Sequence, residues 1–464
     1  MSVEKNKKNQ YYVLSLLSNL GAGLPAKKAE DLQKQLNKIK DALASETVSN
    51  FTGKWKVVWG PVLTHSYEWN LSREKRYVTD NAMYVAQSQT DKNQYFVGVA
   101  GTNAISTAGW FEQDFNVEKM TAWPPTFLNL PKEPRAGNIA LGTEIGLKAL
   151  WEMKDDKEGQ LINFLKNRVL NGSTISVGGH SLGGCLSPVL ATALSNVMKH
   201  VQPVKQLTFE AYPTAGPTPG DIEFANHIAS SLTYYQADYN LNDIVPLAWN
   251  FDTAKINALK ASYKTFKVGD ETINPDQTII ENFLAWAKSL GEKGAYEREP
   301  EVAQEHFNVH TWRNGSASKA TQEDVDDFVT VTVFYPIGKN LKTLNNGKKL
   351  GYTARANFAR FFLEMGAQHV PVYGAHFNLA PAVVNELQKL FFHPTDKTDI
   401  KWLKFQALKE LSKLTTKAAN WIKPSDEQLV QTDYAHSEQF QIDEEQLEGL
   451  FGEGELLLPW QNML

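Results

Sequence analysis

Between Lys27 and Ala44 the apolar positions Ala29, Leu32, Leu36, Ile39 and Leu43 recur at three- and four-residue intervals, which predicts one helical face. Beyond it the apolar residues gather in short runs: Tyr84–Gln87, Tyr95–Gly101, Thr174–Gly179, Gln206–Ala211, Leu232–Tyr239 and Val329–Tyr335. Their length and their aromatic and β-branched content predict strands. Helix-like stretches, among them Ile145–Lys154 and Leu186–Lys199, lie between several of these runs. Strands that alternate with helices imply a largely parallel sheet with helices on its faces, an α/β fold.

Residues 250–325 interrupt this rhythm with polar and helical material and read as an insertion. The chain therefore divides into an N-terminal helical extension (1–50), an α/β domain (51–395) and, from 396, a lysine-rich helix followed by an acidic tail. The N-terminal apolar stretch Tyr11–Leu20 is broken by serines and an asparagine, and no small-residue cleavage site follows it. It reads as a helix of the folded protein rather than as a cleaved signal. No apolar run approaches the roughly 18 residues that a spanning helix requires.

Composition narrows the picture without deciding it. An apolar content of 42% and an aromatic content of 11% suit a globular protein with a sizeable core. A net charge of -5 offers none of the basic surface that nucleic acid requires, so no nucleic-acid partner is expected. The single cysteine, Cys185, excludes an intrachain disulfide. His306 and His310 stand four apart, but with no H-E-x-x-H motif and no third ligand they read as a surface or core pair. No metal or cofactor is expected.

The chemistry concentrates in Gly179-His180-Ser181-Leu182-Gly183, a G-x-S-x-G pentapeptide set between a strand-like and a helix-like run. A serine hydroxyl attacks only when a base can reach it, and a sharp strand-to-helix turn projects it for that purpose. The flanking glycines give the turn clearance. The amide of Leu182, first in the following helix, aims at the oxyanion that would form. His180 reads as a packing or hydrogen-bonding neighbour, and Cys185 as small helix packing.

Several segments in order around this pentapeptide resemble the class 3 (fungal-type) lipases. They are Val97-Gly98-Val99-Ala100-Gly101-Thr102-Asn103 with Trp110 and Asp114, then Ala215-Gly216-Pro217-Thr218-Pro219-Gly220, then Asn242-Asp243-Ile244-Val245-Pro246, then Gln368-His369-Val370-Pro371-Val372-Tyr373. The resemblance implies an α/β-hydrolase fold with Ser181 as nucleophile and Asp243 as the orienting acid, Asp238 being the fallback. It implies His369 as the base, with His376 as the alternative, and Thr102 as the second oxyanion donor beside Leu182. Ala100 departs from the family, which usually has an arginine there that supports the oxyanion loop.

By the same resemblance, 103–115 occupies the place of a lid, with Ile105, Trp110 and Phe111 as apolar residues over an acyl groove. Trp123, Pro124, Pro125, Phe127 and Leu128 follow closely. The expected partner is a lipid or a small ester, with transient contact at a lipid surface. A phospholipase A1 or an acyltransferase would use the same triad, and a non-catalytic lipase-like scaffold is the rival from another class. The segment Asp399–Ile422 sets Trp402, Phe405, Leu408, Leu411 and Leu414 among five lysines, a pattern that packs on its own domain or lies on an anionic surface.

Overall fold

Among the described residues the longest ladder is an antiparallel hairpin that the sequence pattern does not announce. In the computed structural model, strand β1 (Trp55–Trp69) pairs along its whole length with β2 (Lys75–Ser88). The strand passes through Gly60-Pro61 by a bulge, its register moving from Trp59 opposite Val85 to Val62 opposite Met83. The structure describes residues 3–21, 25–69, 75–101, 117–133, 135–202, 205–240, 243–247, 266–268, 271–273, 304–307 and 369–391.

From β2 the sheet continues through β3 (Gln94–Val99), β4 (Thr174–His180), β5 (Thr208–Thr214), β7 (Ala237–Asn240) and β8 (Gln304–Phe307), with the short β6 (Tyr234–Tyr235) also on β5. β2 and β3 are antiparallel, and every pairing from β3 onward is parallel. This is the mainly parallel sheet of the α/β-hydrolase fold. β8 lies inside the stretch that reads as an insertion and extends the sheet through residues 304–307. The run Val329–Tyr335 lies outside the described residues, as do 396–464 with Asp399–Ile422.

Alternation along the strands assigns the two faces. Tyr95, Val97, Val99, Ile175, Val177, Phe209 and Ala211 join one apolar core with Leu186, Val189, Leu190 and Leu194 of helix α6 (Leu182–Met198). Phe96, Ser176, Glu210 and Tyr212 point the other way, toward helix α1 (Val3–Leu17). Tyr11 of α1 packs on Phe96 and Tyr212 with ring centroids 4.9 and 4.8 Å apart. Charged sheet residues on this face need partners, and α1 brings them. Lys7 Nζ meets Glu210 at 2.7 Å, and Lys8 Nζ meets Asp238 at 3.3 Å.

The N-terminal helix is thus part of the sheet's cover. Tyr11 to Ser18 are buried without interruption, because sheet and neighbouring helices enclose the helix end on all sides. Helix α2 (Ala29–Ala44) follows the predicted face closely, burying Leu32, Leu36, Ile39 and Leu43. Helix α3 (Glu46–Thr52) follows, then α4 (Leu141–Glu152) and α5 (Leu161–Asn167) between β3 and β4. Helix α7 (Ile222–Ser231) starts at Asp221, whose carboxylate accepts the N–H groups of Phe224 at 2.9 Å and of Asn138 at 2.9–3.0 Å. The short α8 (Ile244–Leu247) follows β7, and α9 (Pro371–His376) and α10 (Pro381–Phe391) close the described chain.

Two compact units emerge. One spans 1–251, 288–307 and 376–393; the other spans 252–287, 308–375 and 394–464. The first holds the central sheet and α1 to α8. Among the described residues the second holds a two-stranded ladder of Phe266–Val268 with Glu271–Ile273, and His369 with most of α9. Among the described residues no helix is long and apolar enough to cross a membrane.

Candidate active site

Ser181 sits between the end of β4 and the start of α6 in a backbone conformation that side chains rarely adopt, φ 60° and ψ -126°. Such strain persists only where the surroundings impose it. Here they do so from both sides. The Ser181 N–H donates to the Thr214 carbonyl at 3.0 Å, which ties the turn to the end of β5. The Ser181 carbonyl accepts the Cys185 N–H at 3.0 Å, the first turn of α6. The serine itself is partly exposed, while its neighbours His180 and Leu182 are buried.

The two glycines of the pentapeptide are sterically required. A Cβ on Gly179 would fall on the backbone of Gly183, and one on Gly183 would fall on the carbonyl of Val99. The helix therefore starts directly against β3 and β4, four residues before the Leu186 start that periodicity suggests. That contact places the Leu182 amide at the free N-terminal end of a 17-residue helix, where backbone N–H groups lack intrahelical acceptors. Pro188 sits inside this helix without ending it.

His180 is buried and hydrogen-bonded. The Thr214 hydroxyl donates to the Gly179 carbonyl at 3.2 Å, so it accepts from His180 Nδ1 across their 3.0 Å contact. The imidazole also lies edge-on to Tyr12, with centroids 5.7 Å apart. Cys185 is buried, its sulfur 3.8 Å from the Thr143 hydroxyl.

Asp243 follows the C-terminal end of β7 and is fully buried. Its N–H donates to the Asn240 carbonyl at 2.9 Å, and its Oδ1 accepts the Val245 N–H at 3.0 Å. Burial drives the phenol of Tyr12 far above its ordinary pKa, and the nearby Asp243 carboxylate adds to that shift. Asp238, the earlier acid candidate, is held by Lys8 instead.

His369 precedes α9, and His376 is its last residue. His369 faces the ring of Tyr373 at 6.5 Å between centroids, and its Nε2 is shielded from solvent. His376 lies edge-on to Phe377 at 4.8 Å, and Phe377 stacks on Tyr12 at 4.5 Å. Thr102, Ile105, Trp110, Phe111 and His310 lie outside the described residues. Of the apolar residues beyond the lid segment, Trp123 and Leu128 belong to the core, Trp123 packing on Phe224 at 4.9 Å. Three residues around the site carry no sequence signal. Tyr12 and Asn19 come from the N-terminal extension, and Thr214 ends β5 three residues past the run Gln206–Ala211 that the sequence marks as a strand.

A serine held on such an elbow, at the C-terminal edge of parallel strands and against a helix N-terminus, defines a serine hydrolase of the α/β-hydrolase fold. Residues 115–252, which include Ser181 and Asp243, match the family model of the class 3 lipases. M37 lipase is similar in structure, with 25% identity and a TM-score of 0.50 over 65% of this chain and 84% of that one. The Rhizomucor miehei lipase propeptide complex is 18% identical over 53% of this chain and 63% of that one, with a TM-score of 0.33. Lipase II from Rhizopus niveus is 16% identical over 53% and 75%, with a TM-score of 0.34. No curated protein matches the chain. The protein is a carboxylic ester hydrolase, and its residues 115–252 are similar to the class 3 lipases.

Proposed function

We propose that the protein cleaves carboxylic esters of lipids through a triad of Ser181, His369 and Asp243. The observation that carries this reading is the strained Ser181, presented beside the first amide of α6. In this reading Ser181 Oγ attacks the ester carbonyl carbon while the His369 imidazole takes its proton. The N–H groups of Leu182 and Thr102 hold the oxyanion of the tetrahedral intermediate. Collapse breaks the bond to the alcohol, which leaves with the proton from His369. Water then attacks the acyl-enzyme by the same route and releases the fatty acid. Asp243, fully buried, orients the imidazole and balances its charge.

Substrate choice follows from the same reading. In it Ile105, Trp110 and Phe111 are the residues assigned to meet the acyl chain. Hydrolysis of p-nitrophenyl esters of graded chain length, followed by product analysis on triacylglycerol and on phosphatidylcholine, tests this. Faster turnover on acyl chains of eight or more carbons than on acetate, with fatty acid released from triacylglycerol, is the expected outcome. Activity confined to acetate would contradict the lipid assignment, and release from phosphatidylcholine alone would replace it with a phospholipase.

A further inference from the structure

Asn19 lies on the 3-10 turn Ser18–Gly21 that follows α1, and its carboxamide is fixed at both ends. Its Oδ1 accepts the Gly101 N–H at 2.7 Å, and its Nδ2 donates to the Leu16 carbonyl at 3.3 Å. Gly101 is where β3 gives out. The Ala100 N–H still pairs with the Ala82 carbonyl at 2.9 Å, and one residue later the amide goes to Asn19. Neither Ala100 nor Gly101 has a polar side chain that could hold the turn from within. Gly101 also abuts the elbow, since a Cβ placed on it would stand 2.7 Å from the His180 carbonyl oxygen and 3.4 Å from Ser181 Cβ.

We propose that Asn19 is a positioning residue for acyl transfer, holding the Gly101 peptide against the elbow so that Ser181 and the Leu182 amide behind it keep their place. This rests on the roles proposed for Ser181 and Leu182. Oxyanion donors act by standing ready where charge develops, and displacement of a reacting geometry by 1 Å can cost about 100-fold in rate. An anchor from the N-terminal extension makes those residues a component of the catalytic centre as well as of the core.

The test compares Asn19→Leu, nearly isosteric but without an acceptor, with Asn19→Ala, where water can reach the freed amide. Expected for Asn19→Leu is a fall in kcat of about tenfold or more on p-nitrophenyl butyrate with KM little changed, and a smaller fall for Asn19→Ala. The inhibition constant of butylboronic acid, whose tetrahedral adduct on serine uses the same donors, should rise by the same factor as kcat/KM falls. Rates are normalised to the fraction of protein that a fluorophosphonate can titrate, so loss of folded enzyme is removed from the comparison. Unchanged normalised kcat and unchanged boronate inhibition in both variants would overturn the inference. Ser181→Ala run alongside separates the two levels. If it still hydrolyses the ester, the nucleophile assignment has failed; if it is inactive while both Asn19 variants match wild type, only the role of Asn19 has failed.

Discussion

The backbone of Gly183 occupies the space in which a side chain at Gly179 would have to sit. That contact lets β4 and α6 meet at the sharp angle that presents Ser181. Gly183→Ala would drive a methyl group into the Val99 carbonyl at the same crossing. Overpacking of this kind costs about 1–3 kcal/mol, and here any relief must move the nucleophile. Gly183→Ala should therefore lower Tm by several degrees and lose far more activity than the remaining folded fraction accounts for. Thermal unfolding combined with esterase assays checks both halves.

Asp243 and Asp238 lie five residues apart and should behave in opposite ways. Asp243→Asn should reduce kcat by about 10⁴ while the fold persists, as expected when the orienting acid loses its charge. Asp238→Asn removes the carboxylate charge that Lys8 Nζ meets at 3.3 Å in a buried site. Removing one partner of such a pair costs about 3–5 kcal/mol, so this variant should lose stability but keep its kcat per folded molecule. Urea unfolding and titrated kinetics distinguish the two.

His369→Ala should abolish hydrolysis, with kcat down by at least about 10³. His376→Ala should retain most activity, losing the edge contact with Phe377. The reverse pattern would transfer the base to His376.

A pH-dependent contribution to stability is expected away from the site. Burial alone would raise the Asp155 pKa, but the N–H groups of Lys157, Glu158 and Gly60 outweigh it and hold the carboxyl below its ordinary value. A carboxyl depressed in the folded state stabilises above its unfolded pKa, and that stabilisation fades as pH falls through the folded value. Asp155→Asn should lower Tm by roughly 2–4 °C at pH 7, and the difference should close below about pH 4. Differential scanning calorimetry at the two pH values measures it.

What the sequence reveals depends on how local each feature is. The elbow is legible because glycines, strand and helix all fall within nine residues of Ser181, and α2 because its apolar stripe is uninterrupted. β1 carries a bulge at Gly60-Pro61 that is stabilised by Gly60 N–H donating to Asp155 Oδ2 at 3.0 Å, a partner 95 residues away. The role of α1 is equally hidden. Its burial depends on the sheet face formed by Phe96, Ser176 and Tyr212, and the bond from Gly101 to Asn19 spans 82 residues. Local pattern registers neither.

The central claim is that Ser181 is the attacking atom's residue, and a fluorophosphonate probe addresses it directly. Wild-type protein should label at one site, found by peptide mass spectrometry on the segment containing Ser181, with esterase activity lost in step. Ser181→Ala should neither label nor hydrolyse. Labelling or turnover that survives the substitution would contradict the account.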